Sequence, residues 1–206
     1  MAISSRQQSK LARERLVREA TRLFYQRGIN AVGVDEIVAR ATVARMTLYN
    51  QFGSKDGLIA ACLTEADTAY HEWFVNEVET RTSDPRERLR VVFDVLDGWF
   101  NSEQFRGCTF MNAAVELTDP VHPGHVPVLA HKRRTRAYLR ELTAAAGLDA
   151  PDEAADTLML LIEGATMTAL VEGDMAAARK AGRAAEALLP GTTEERPPKR
   201  RGRRAA

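Results

Sequence analysis

The stretch GVDEIVARATVARMTLYNQFGSKDGL, residues 33–58, decides how the chain folds. Its periodicity predicts two short helices split by a tight turn. One runs from Asp35 to about Arg40 with Ile37 and Val38 inward; the other covers about 44–51. Leu48 and Phe52, four apart, share one side of the second helix, so Arg45, Met46 and Tyr49 fall on the other. A longer helix precedes them, from about Ser9 to Arg27. There Ala12, Leu16, Val17, Ala20, Leu23 and Phe24 recur at helical spacing, and Gly28 sits where a C-terminal cap belongs. A long helix bracing two short ones is the layout of a helix-turn-helix unit, whose second short helix fits a major groove about 12 Å wide.

The outward residues suit that task. The Arg45 guanidinium can take guanine O6 and N7 together. Thr47, Tyr49 and Gln51 can hydrogen-bond phosphate, and Lys55 stands at the start of the next helix, where free backbone N–H groups attract anions. Lys10 and Arg13 extend the same footprint. A helical pair used only for packing would need no such outward set.

The residues carry a resemblance that covers about 11–62. Arg15-Leu16-Val17, Ala20, Leu23-Phe24 and Gly28 come first, then Val34-Asp35-Glu36-Ile37-Val38, then the run from Thr47 to Leu58. In this spacing they resemble the DNA-binding head of the TetR family of one-component transcription regulators. The resemblance implies that Arg45, Met46, Thr47 and Tyr49 face bases and backbone, while Gln51 and Lys55 hold phosphates. It also implies a ligand-responsive regulator, most simply a repressor that leaves a palindromic operator when a small molecule binds. The chain departs from the family pattern at Thr42, where the turn usually has Gly, and at Ala44, where a Ser usually caps the recognition helix. It departs again at Met46, usually a small residue, and at Gly33, usually a hydroxyl-bearing cap.

Outward from the head, helical signals dominate and no segment alternates like a strand. Ser54 caps a helix reaching about Thr80, and Asp84-Pro85-Arg86-Glu87 opens another. A short helix over about Cys108–Leu117, an irregular stretch Asp119–Pro127, and three further helices complete an all-α chain. The expected division is a DNA-binding head at 1–55, a helical ligand-binding and dimerisation bundle at 56–190, and a disordered basic tail at 191–206.

Charge agrees with a head that meets a polyanion. Residues 1–60 carry ten Lys/Arg against five Asp/Glu, a net of +5; residues 61–190 carry thirteen against twenty-one, a net of −8. The tail carries six against two, a net of +4, so the whole sums to +1. Two cysteines argue against a disulfide framework. No uninterrupted apolar run suggests a membrane span, and the charged first thirty residues suggest no signal peptide. The expectation is a cytoplasmic protein that binds no membrane.

In the body, the family architecture implies that middle helices enclose a ligand and that the last two pair with a second subunit. Leu158, Leu161, Ile162, Ala165, Ala169 and Leu170, then Met175, Ala178, Ala181, Ala185 and Leu188, form apolar stripes suited to such a homodimer. The run Gly107-Cys108-Thr109-Phe110-Met111-Asn112-Ala113-Ala114, with Glu116, His122-Pro123 and His131-Lys132 downstream, resembles one subgroup of the family. Phe74, Trp99, Phe100, Phe110, Met111 and Met159 are candidates to line an apolar pocket, with Asn112, Glu116 and Glu163 as its polar contacts. Glu163 lies in the most apolar helix and so needs a partner or a shifted pKa. Glu116, His122, His125 and His131 raise a metal site or an acid–base enzyme as rival readings, but the spacing is not that of a paired metal motif. No nucleophile elbow or phosphate-binding glycine loop supports catalysis. Cys108 is a candidate thiol sensor, with an inert thiol the simpler alternative. No cofactor, metal or catalytic residue is expected.

Overall fold

The structure, a computed structural model, describes residues 4–187. The expected tail at 191–206 and Leu188 lie outside the described residues. Within them the chain forms nine α-helices.

The head is built from α1 (Ser5–Arg27), α2 (Val34–Ala41) and α3 (Arg45–Phe52). Helix α1 begins one turn earlier than its apolar period suggests. Ser4 makes this possible by capping it, its hydroxyl accepting from the Gln7 N–H. Helix α2 has a bare Gly33 at its N-cap. It ends on Thr42 in the left-handed region, φ 54° and ψ 53°, where Thr42 and Val43 N–H groups bond back to Ala39 and Val38 carbonyls. The turn therefore keeps its geometry although the residue there is β-branched, a strained choice. Helix α3 starts at Ala44 without a side-chain cap.

Helix α4 (Lys55–Arg81) joins the two halves of the molecule. Ser54 caps it by accepting from the Gly57 N–H at 3.0 Å. Gly57 is required by closeness: a Cβ there would lie 2.1 Å from the Phe52 carbonyl oxygen that ends α3. The first turns of α4 put Leu58, Ile59, Cys62 and Leu63 into a head core with Leu16, Leu23, Ile37 and Leu48. Its later turns put Phe74 and Val78 into a separate body core.

That body core is closed by α5 (Pro85–Phe100), α7 (His125–Ala145), α8 (Pro151–Glu172) and α9 (Ala177–Glu186). Asp84 caps α5 with Pro85 in the first turn, as its sequence predicts. The short helix α6 (Thr109–Glu116) follows a different allegiance. Its buried Phe110 and Ala113, with Leu117 beyond, belong to the head core although they lie far along the chain.

Helix α8 is, by length and composition, apolar enough to cross a membrane, with mean hydropathy 1.4 over its best window. Asp156 and Glu163 interrupt that window, and its inner side packs into the body core beside α7 and α9, the pattern of a bundle's central helix. Most of the stripe expected to pair subunits is in fact intrachain core. Leu158, Ile162, Ala165, Ala169, Ala178, Ala181 and Ala185 are all buried inside the subunit. The apolar residues that α8 leaves outside are Leu160, Met167, Leu170 and Val171.

Candidate DNA interface and ligand cavity

Helix α3 is anchored on one side and open on the other. Leu48 is fully buried in the head core, and Phe52 packs beside it at the helix end. On the outer side Met46 is 63% exposed and Arg45 is exposed with it. The Arg45 guanidinium is held ready: it donates to Asp35 at 2.5 Å and to the Tyr49 hydroxyl at 3.4 Å, and lies 5.8 Å from the Tyr49 ring centroid. These partners raise its pKa further, the Tyr49 hydrogen bond first and the Asp35 charge next, so it stays a cation. Thr47 and Tyr49 are half-buried at the rim of the same face.

Two residues expected on phosphate are engaged inside the head. The Gln51 amide donates to the Ser9 hydroxyl at 2.6 Å and ties α3 to α1. The Lys55 ammonium donates to the Ile29 carbonyl at 2.8 Å and lies 5.9 Å from the Phe24 ring centroid. In this arrangement it braces the loop between α1 and α2. Sequence spacing places Lys55 at a helix start but carries no information on which way its long stem turns.

The body holds a cavity of about 80 Å³ between α4, α6, α7 and α8. Of the expected lining residues, Trp99, Phe110, Met111, Met159 and Glu163 reach it. Phe74 and Phe100 do not: both are almost fully buried in the body core, where Phe74 packs on Tyr70 and Tyr138, and Phe100 on Trp99 and Phe105. Asn112 and Glu116 do not reach it either. They border a void of about 20 Å³ where α6 meets α1 and α4. The Asn112 amide donates to the Arg106 carbonyl, and the Glu116 carboxylate accepts from the Asn30 N–H at 2.8 Å.

Glu163 has the partner its apolar helix demands, the Lys132 ammonium at 2.9 Å. The cavity also contains Tyr70, Cys108, His131, Lys132, Thr135 and Thr166, none of which was expected as a ligand contact. Only the His131-Lys132 and Cys108 motif positions gave a signal for them. The histidines do not converge. His131 bonds Asp67, His122 pairs with Asp56 at 3.3 Å, and His125 bonds the Asp119 carbonyl. Cys62, the buried cysteine, has its thiol pushed up to about 12 by burial, so it is protonated and unreactive.

The head and the cavity share α6. Phe110 packs in the head core and lines the cavity at once. Around it, Tyr25 of α1 donates to the Gly107 carbonyl and accepts from the Arg106 N–H, and Asn30 binds both the carboxylate and the carbonyl of Glu116.

Comparison with known proteins agrees with this layout. Residues 16–62 match the family model of bacterial regulatory proteins of the tetR family, and residues 85–185 match the tetracyclin repressor-like C-terminal domain. The chain belongs to the TetR family of transcriptional regulators. The solved structure of SCO4454, a TetR-family regulator from Streptomyces coelicolor, is 34% identical, with TM-score 0.79 over 87% of this chain and 95% of that one. The transcriptional regulator AcuR of Cereibacter sphaeroides is 28% identical over 172 residues, 80% of this chain and 78% of AcuR. The transcriptional repressor DhaR of a Mycobacterium species is 29% identical over 110 residues, about half of each chain. This TetR-family chain thus shares both halves of the architecture with regulators of transcription.

Proposed function

We propose that the chain is a homodimeric repressor that releases a palindromic operator when a small molecule enters the cavity of its body. The observation that carries this reading is α3: a helix anchored by buried Leu48 that presents Arg45, Met46, Thr47 and Tyr49 on one open face. A buried anchor with an outward cation and hydroxyls is what base readout in a major groove requires. The DNA-binding domain comprises α1–α3 and the first turns of α4; the remainder binds ligand and pairs subunits.

Dimerisation is supported by the outer side of α8. Leu160, Gly164, Met167 and Val171 recur at intervals of four, three and four, so they form one stripe, and Leu160 and Val171 are 70% and 72% exposed. A second copy of α8 covers such a stripe across a two-fold axis, and two-fold proteins read palindromic sites.

Coupling runs through α6. A ligand that fills the cavity must press on Phe110 and Met111; α6 is bonded to the head through Asn30, and the residues just before it through Tyr25. Two subunit arrangements follow, only one of which spaces the recognition helices for adjacent grooves. Such a regulator acts in the cytoplasm, where its DNA lies.

A gel-shift series over salt, paired with sedimentation of the free protein, tests the reading. A dimer that binds one palindrome far more tightly than random duplex supports it. A monomer, or equal affinity for every duplex, overturns it.

A further inference from the structure

The cavity contains polar atoms that the fold itself does not use, and they define a chemistry. His131 is 4% exposed. Its Nδ1 lies 2.9 Å from the Asp67 carboxylate, which also takes Arg134 at 3.4 Å. A carboxylate held by an arginine offers only lone pairs, so Nδ1 carries the proton and donates. Nε2, the other ring nitrogen, is then a bare acceptor, and no described residue donates to it. The ring cannot turn away. Phe110 stacks on its face, centroids 3.6 Å apart and planes 9° apart, and Tyr70 meets it edge-on at 5.0 Å. Burial takes its pKa down to about 4, which keeps the lone pair free at neutral pH. Tyr70 and Thr135 line the same space, and their hydroxyls have no partner among the described residues.

The charges beside the cavity are already matched. Lys132 is paired with Glu163, and Asp67 with Arg134. An anion binding Lys132 would have to displace Glu163, a partner already in place at 2.9 Å. Trp99, Phe110, Met159 and Ile162 make the remaining walls apolar. A space of about 80 Å³ holds more than a single water and suits a small molecule. Ala66 and Thr109 border both this cavity and an open groove between α1, α4 and residues 103–106, which gives a way in.

From these observations we infer that the cavity binds a compact, uncharged, mainly apolar molecule bearing one hydroxyl-type donor, which it gives to His131 Nε2. This deepens, and rests on, the ligand-responsive reading. Tyr70 and Thr135 serve the ligand's oxygen, and the ring stacked on Phe110 carries the occupancy of the cavity directly to α6.

The test titrates phenol, benzene and benzoate into the full chain without DNA, read by calorimetry. Phenol is expected to bind about tenfold more tightly than benzene, the usual net value of one hydrogen bond, and benzoate no better than benzene. In H131N the amide still donates to Asp67 but Nε2 is gone; phenol should then fall to the affinity of benzene while benzene is unchanged. K132M should leave phenol binding intact. A thermal melt of each variant identifies any that fails to fold, and Y70F, which removes a hydroxyl without volume, then serves in its place with a partial loss of the phenol preference. Equal binding of phenol and benzene, or no binding of phenol, overturns the inference. So does tight benzoate binding that K132M removes, which would make the cavity an anion site. A parallel gel shift separates this from the broader reading. Palindrome binding without phenol binding sinks only the ligand class, and phenol binding without DNA binding sinks only the regulator.

Discussion

Acidification isolates one buried residue of the body, His131. In the folded chain its pKa is about 4, against 6.5 for the ordinary group. Burial is the main cause; the Asp67 bond opposes it, and the Lys132 charge adds to it. The groups facing the ring are Asp67 and Tyr70 from α4, and Lys132 and Arg134 on its own helix, with His71 farther along α4. Because the folded pKa is depressed, the unfolded chain binds the extra proton first. The contribution is therefore complete above about pH 7 and is lost as pH falls through 6.5 toward 4. A shift of about 2.5 units corresponds to about 3 kcal/mol in full, of which about 2 kcal/mol is gone by pH 5. That is a large part of an ordinary domain's stability. The assay is urea unfolding at pH 8 and pH 5 for the wild type and for His131→Asn, which keeps a donor to Asp67 but does not titrate. The wild type should lose about 2 kcal/mol more than the variant between the two pH values. Equal losses would mean that His131 is already free to protonate, and the derivation of a neutral, ligand-facing ring would fail.

Three substitutions probe the head and its link to the body. Thr42→Gly relieves a β-branched residue held at φ 54° and should raise head stability by about 0.5–1 kcal/mol, read from the urea midpoint. Gly57→Ala drives a methyl group against the Phe52 carbonyl and should cost about 1–3 kcal/mol, together with loss of operator binding as α3 shifts. Glu116→Ala leaves the Asn30 N–H without its carboxylate and should lower stability by about 1 kcal/mol, while operator affinity in the absence of ligand stays within about twofold.

How much was legible in the sequence differs between the two halves for a physical reason. The head is short-range. Its helices and the inward Leu48 follow from spacings of three and four residues, and Thr42 stands out against the Gly that the resembled family usually has in that turn. The direction of Lys55 and Gln51 does not, because long side chains choose among partners that only the tertiary fold supplies, here the Ile29 carbonyl and the Ser9 hydroxyl. In the body, apolar period shows that Phe74 and Phe100 are inward but not which inward positions border a void. The cavity arises where α4, α6, α7 and α8 fail to close, and its polar groups, Tyr70, His131 and Thr135, come from different turns and helices. Glu116 looked like a ligand contact because it is a carboxylate near aromatics; its partner, Asn30, is 86 residues away. The stripe on α8 is ambiguous in sequence for a similar reason. Small apolar residues pack equally well against a helix of the same chain, and only exposure separates Leu160 and Val171 from Ala165 and Ala169.

Selecting bound sequences from a random duplex pool, with the wild type and with Arg45→Ala in parallel, puts α3 to the test most directly. The wild type should enrich a palindrome whose half-sites lie about 34–36 Å apart. Arg45→Ala should lose roughly ten- to hundredfold discrimination at one position in each half-site while keeping the rest. Enrichment of no sequence, a site without two-fold symmetry, or an unchanged preference in the variant would contradict a recognition helix presented twice by paired chains.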